Sequence, residues 1–82
     1  MNVKQLIGMH IAELRNGKGL TQEQLAGKME ISSKYLSSIE RGKENPTLDT
    51  LIKLSESLGV NIEDIFRFIQ IEDSVKRKSL VT

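Results

Sequence analysis

Residues 22–41 read QEQLAGKMEISSKYLSSIER, two short amphipathic segments separated by a tight turn. Leu25, Ala26 and Met29 share one face of a first short helix, and Leu36 and Ile39 share one face of a second, at the spacings an amphipathic helix requires. Thr21 and Gln24 have the spacing of a capping box that opens the first of these helices. Ser32 is the N-cap candidate for the second, which runs to about Glu40 and is ended by Arg41-Gly42-Lys43. Between them Met29-Glu30-Ile31-Ser32 supplies a turn of three to four residues, and Ala26 supplies the small side chain needed where two short helices cross.

Upstream, Val3, Leu6, Ile7, Ile11 and Leu14 fall on one face of a preceding helix, with Gly17 and Gly19 as stop signals. Downstream, Pro46 breaks the chain before Thr47, the N-cap of a helix that carries Leu48, Leu51, Ile52, Leu54 and Leu58 and stops at Gly59. Asn61 caps a last helix with Ile62, Ile65 and Phe66 inside. The class is therefore all-α: a compact five-helix bundle in which helices two and three, residues 22–41, form a helix-turn-helix. A short C-terminal extension, 67–82, follows. In it Phe68, Ile69 and Ile71 continue a helical stripe or form a short strand, and both readings stand.

The third helix is the chemically telling one. At about 100° per residue, Ser33, Ser37, Arg41, Lys34 and Ser38 occupy one arc, and Tyr35, Ile39 and Leu36 the other. The outer arc holds small hydroxyls and cations and no carboxylate. Small side chains let a helix sit deep in a DNA major groove about 12 Å wide, hydroxyls bond to base edges, and a lysine reaches guanine O6 or N7.

From Ile11 the chain reads IAELRNGKGLTQEQLAGKMEISSKYLSSIERGKENPTLDTLIKLSESLGVNIEDIF. It resembles the Cro/cI-type, or XRE, helix-turn-helix family of phage and bacterial regulators over about residues 7–66. The resemblance is carried by GLTQ from Gly19, YLSSIERGK from Tyr35, PTL from Pro46 and LGV from Leu58, all in register. It implies a lambda-repressor-like domain that binds operator DNA as a dimer. By that likeness Ser33, Lys34 and Ser38 match base-reading positions. Gln22, Tyr35, Arg41 and Lys43 match contacts to the sugar-phosphate backbone, with Ser37 grouped beside them. Arg15 and Glu40 match a structural pair. A carboxylate aimed at phosphates would repel them, so Glu40 is expected to be neutralised inside the protein. Glu30 stands at the turn position that relatives give to glycine, where a positive φ would cost on the order of 1 kcal/mol.

Composition removes other functions. The 82-residue chain has no Cys and one His, which excludes disulfides, thiol catalysis and multi-His metal sites. No serine has a partnered histidine, so nucleophilic catalysis has no support, and neither a cofactor nor a small-molecule ligand is indicated. There is no long apolar run to span a membrane, and the N-terminus has no cleavage signal, so a cytoplasmic protein is expected. The net charge of +1 hides a polarity: residues 1–43 carry seven bases and four acids, and 44–66 one base and five acids. His10 reads as a rim or partly buried structural residue. The acidic stretch from Glu44 to Glu56 is a candidate for contact with RNA polymerase.

A single recognition helix reads few base pairs, so a homodimer on a palindromic operator is expected. Phe68, Ile69 and Ile71 exceed what the core needs, and either fold back on the same subunit or join the dimer interface. The expected function is an autoregulator, phage-repressor-like or of the kind that controls a restriction-modification operon. The alternative is an antitoxin-type module whose main partner is a protein.

Overall fold

A computed structural model of the chain describes residues 2–67. Among them are α1 (Val3–Gly17), α2 (Gln22–Met29), α3 (Ser33–Glu40), α4 (Leu48–Leu58) and α5 (Ile62–Ile65), with no strand. The first four helices each open on a polar residue whose side chain satisfies an N–H the helix itself leaves free. Asn2 and Gln5 exchange hydrogen bonds at 2.9 and 3.0 Å, and Thr21 and Gln24 do so at 3.1 and 2.8 Å. Ser32 Oγ accepts from the Tyr35 N–H at 3.0 Å and Thr47 Oγ1 from the Thr50 N–H at 3.2 Å. At α5 the Asp64 carboxylate accepts from the Asn61 N–H at 3.0 Å.

Four helices stop in one manner. After α1, α2, α3 and α4 the chain turns through a left-handed residue, Gly19, Glu30, Gly42 and Gly59, with φ of 71°, 57°, 74° and 70°. The next N–H in each case reaches back five residues to a helix carbonyl: Leu20 to Arg15, Ile31 to Ala26, Lys43 to Ser38 and Val60 to Ser55, at 2.9 to 3.2 Å. These bonds satisfy carbonyls that would otherwise be orphaned. Glu30 is the one side chain bearing this conformation among the described residues.

The core lies between all five helices. Ile11, Leu25, Ala26, Met29, Leu36, Ile39, Leu51, Leu54, Leu58 and Ile65 are buried, with Ile7, Leu14, Leu20, Ile31, Tyr35, Val60 and Phe66 packed around them. Two inward assignments need correction. Val3 is 56% exposed and Ile62 is also exposed. Both stand in the first turn of their helices, and periodicity fixes a face without saying how far the neighbouring helices extend along it. On α4, Leu48 is 66% exposed and Ile52 is exposed too. Gly17 is the last residue of α1, and the left-handed turn that follows falls at Gly19. Phe68, Ile69 and Ile71 lie outside the described residues.

Two glycines let α1 lie against α3. A Cβ on Gly8 would meet the Ile39 carbonyl oxygen and stand 2.6 Å from that of Glu40. A Cβ on Gly42 would lie 2.7 Å from Gln5 Cγ and 2.8 Å from Gln5 Cα. The neighbouring atoms are mostly backbone and cannot swing aside, so only hydrogen fits at either position.

Candidate nucleic-acid interface

The outward arc of α3 comprises Ser33, Lys34, Ser37, Ser38 and the capping residue Arg41. Lys34 and Arg41 are exposed and the three serines are half-buried. Leu36 and Ile39 anchor the opposite arc in the core, so the face turned away from the core consists of hydroxyls and cations. Tyr35 is half-buried and packs on the core cluster. Arg41 Nε donates to the Ser37 carbonyl oxygen at 3.4 Å, which lays the guanidinium back along the last turn of α3. Lys43 is exposed just beyond that turn, its own N–H bonded to Ser38 at 2.9 Å.

Glu40 is the last residue of α3, with a side chain only 5% exposed. Burying a carboxylate is costly unless it is paired and hydrogen-bonded. Here Oε2 accepts from Arg15 Nε at 2.7 Å and Oε1 from Arg15 Nη2 at 3.0 Å, the two-point geometry that suits a guanidinium. Gln22 Nε2 donates to the same Oε1 at 2.9 Å. Arg15 Nη1 donates further to the Leu20 carbonyl at 2.8 Å and to Asn16 Oδ1 at 3.2 Å. The hydrogen bonds to Glu40 raise the Arg15 pKa above its ordinary value, burial opposes them, and the guanidinium stays charged. One carboxylate thus joins the end of α1, the start of α2 and the end of α3.

Of the residues picked out from sequence, the structure brings Arg15, Glu40 and Gln22 together. It places Ser33, Lys34, Ser37, Ser38 and Arg41 along one helix face. Sequence reasoning missed the bond from Gln22 to Glu40 and the anchoring of Arg15 on Leu20, for which no local pattern exists. It also missed Gly8, although an isolated glycine inside an amphipathic helix is a recognisable signal of close packing. His10 is partly buried, and its Nε2 lies 2.7 Å from the Asp64 carbonyl oxygen. A carbonyl only accepts, so Nε2 carries a proton and ties α1 to α5.

A polar helix face held out from the core, with its neighbouring carboxylate buried and paired, is the arrangement a DNA-reading helix requires. Residues 11–65 match the Helix-turn-helix family model. The chain belongs to this family, a class of DNA-binding transcriptional regulators and not of enzymes. It is 48% identical over 61 residues to an uncharacterised HTH-type transcriptional regulator, y4dJ, of Sinorhizobium fredii, spanning 74% of this chain and 79% of that protein. It is 35% identical over 78 residues to the control protein C.BamHI of Bacillus amyloliquefaciens, spanning 94% and 96% of the two chains. Among solved structures, the restriction-modification controller C.Esp1396I, a tetramer in complex with its natural 35-base-pair operator, superposes with a TM-score of 0.77. That match is at 30% identity and covers 88% of this chain and 95% of that one.

Proposed function

We propose that the protein is a homodimeric, sequence-specific regulator acting in the cytoplasm. It reads a two-fold symmetric operator and serves as an autoregulator of the restriction-modification controller kind. The outer face of α3 carries this reading. Its small hydroxyls and Lys34 suit base edges in the major groove, and Arg41 and Lys43 at its end suit phosphates. The control protein C.BamHI supports the controller assignment because the likeness runs over nearly the full length of both chains.

Dimerisation is supported by apolar side chains that stand exposed among the described residues. Leu48 and Ile52 stand four residues apart on α4, so they share a face, and Ile62 on α5 is exposed as well. Phe68, Ile69 and Ile71 of the extension are further candidates for that interface. The acidic residues Glu44, Asp49 and Glu56 form a surface through which the regulator could touch RNA polymerase.

Selection of bound sites from random duplex DNA at about 0.15 M salt tests the reading. The expected result is a two-fold consensus with half-sites about 34 Å apart, one helical turn. Binding that is salt-sensitive but indifferent to sequence would instead favour a protein partner, as in an antitoxin. Sedimentation of Leu48→Ser and Phe68→Ser tests the dimer, and a shift toward monomer locates the interface.

A further inference from the structure

The last described helix, α5, is four residues long and too short to hold its own shape in water. Its setting therefore depends on what it is tied to. Ile65 is buried in the core and Phe66 packs against it. Apolar contacts are non-directional, so they fix the depth of the segment better than its rotation. The directional tie is polar: His10 Nε2, on α1, donates to the Asp64 carbonyl oxygen at 2.7 Å. The Asp64 carboxylate is engaged elsewhere, accepting from the Asn61 N–H at 3.0 Å and from Arg67 Nε at 3.1 Å. Asp64 thus closes α5 with its carboxylate and fastens it to α1 with its carbonyl. The His10 side chain is only 17% exposed, and its Nδ1 faces Glu13 Oε2 at 4.0 Å.

Ile62, at the start of α5, is exposed, as are Leu48 and Ile52 on α4, the helix that packs beside it. We infer that His10 is a positioning residue for self-association: by fixing α5 against α1 it holds Ile62 in one surface with Leu48 and Ile52, and that surface takes a second copy of this chain. A two-fold pairing presents the same patch from both subunits, so any error in the setting of α5 is met twice. The inference rests on the proposed dimer face of α4 and α5. To that face it adds a residue of α1 that stands outside the patch and acts through Ile62.

The test is a double-mutant cycle on the full chain, with the dimer dissociation constant read by sedimentation equilibrium for His10→Phe, Ile62→Ala and both together. Phenylalanine keeps a flat ring and removes the donor. His10→Phe is expected to weaken the dimer about tenfold, the scale of one net hydrogen bond lost from each subunit. It should add little in the Ile62→Ala background, because it acts through that residue. His10→Gln can offer an amide N–H to the same carbonyl and should recover most of the loss. The backbone amide signals of α2 and α3 should keep their wild-type NMR positions in every variant.

A His10→Phe dimer as tight as the wild type would overturn the inference. So would losses that add in the double variant, or a His10→Gln dimer as weak as that of His10→Phe. Shifts spread through α2 and α3 would mark a general packing role and overturn it as well. In each of these cases a dimer weakened by Ile62→Ala alone leaves the proposed face standing. A dimer indifferent to both Ile62→Ala and Leu48→Ser would overturn the face and the inference together.

Discussion

Arg15 and Glu40 stand 25 residues apart in the chain and meet through two hydrogen bonds of 2.7 and 3.0 Å, with side chains only 12% and 5% exposed. Removing one partner of so buried a pair leaves the other charge without compensation. Arg15→Ala is therefore expected to cost about 3 kcal/mol of folding stability, measured by urea denaturation. A loss below about 1 kcal/mol would mean that water screens the pair as it does at a surface.

Gly8 is the point of closest approach between α1 and α3, with the Ile39 and Glu40 carbonyls directly over it. Gly8→Ala should destabilise the fold by about 2 kcal/mol through overpacking, even though alanine is the better helix former by about 1 kcal/mol. A thermal melt that stayed level or rose would show that the two helices can move apart without penalty.

Glu30 holds φ at 57°, a conformation in which a Cβ is strained. Glu30→Gly relieves it and should stabilise the domain by about 1 kcal/mol, raising the melting temperature by roughly 4–8 °C for a domain of this size. Because Glu30 is exposed in the turn, affinity for the selected duplex should hold. An unchanged melting temperature would show that the glycine's added chain entropy cancels the relief.

Lys34 is exposed on the outer arc of α3. Lys34→Ala should cost about 1–3 kcal/mol on the selected duplex and relax base preference at one position. An equal loss on every sequence, with the salt slope reduced by about one, would make Lys34 a phosphate contact.

Asp64 contributes a pH dependence. Its carboxylate accepts from Arg67, with Nε at 3.1 Å, and from the Asn61 N–H at 3.0 Å. The bonds to Arg67, and after them the Asn61 bond, hold its pKa below the ordinary 3.8. Folding lowers this pKa, so the unfolded chain takes up the proton first. The stabilisation is complete above pH about 3.8 and is lost as the pH falls through the depressed folded value. Asp64→Asn should flatten the acid limb of the stability profile, and an identical limb in both proteins would exclude this carboxylate.

Much of this was legible in the chain because it is local. Thr21 with Gln24, Ser32 and Thr47 open their helices through hydrogen bonds to residues three positions away, and such spacings are written directly in sequence. The arcs of α3 follow from 3.6 residues per turn, so Leu36 and Ile39 inward and Lys34 and Arg41 outward could be read without coordinates. Tertiary packing decided the rest. Periodicity gave Val3 and Ile62 an apolar face, but exposure depends on whether another helix reaches that far, and among the described residues none covers them. The crossing at Gly8 depends on the carbonyls of residues more than 30 positions away, and the bond from Gln22 to Glu40 spans 18. Sequence thus determined which helices form and which way each one faces, since both arise from bonds and spacings within a few residues. The depth of Glu40, the orientation of Gln22 and the closeness of α1 to α3 were decided only when distant segments excluded water together, because the cost of an unpaired buried charge exists only in the packed state.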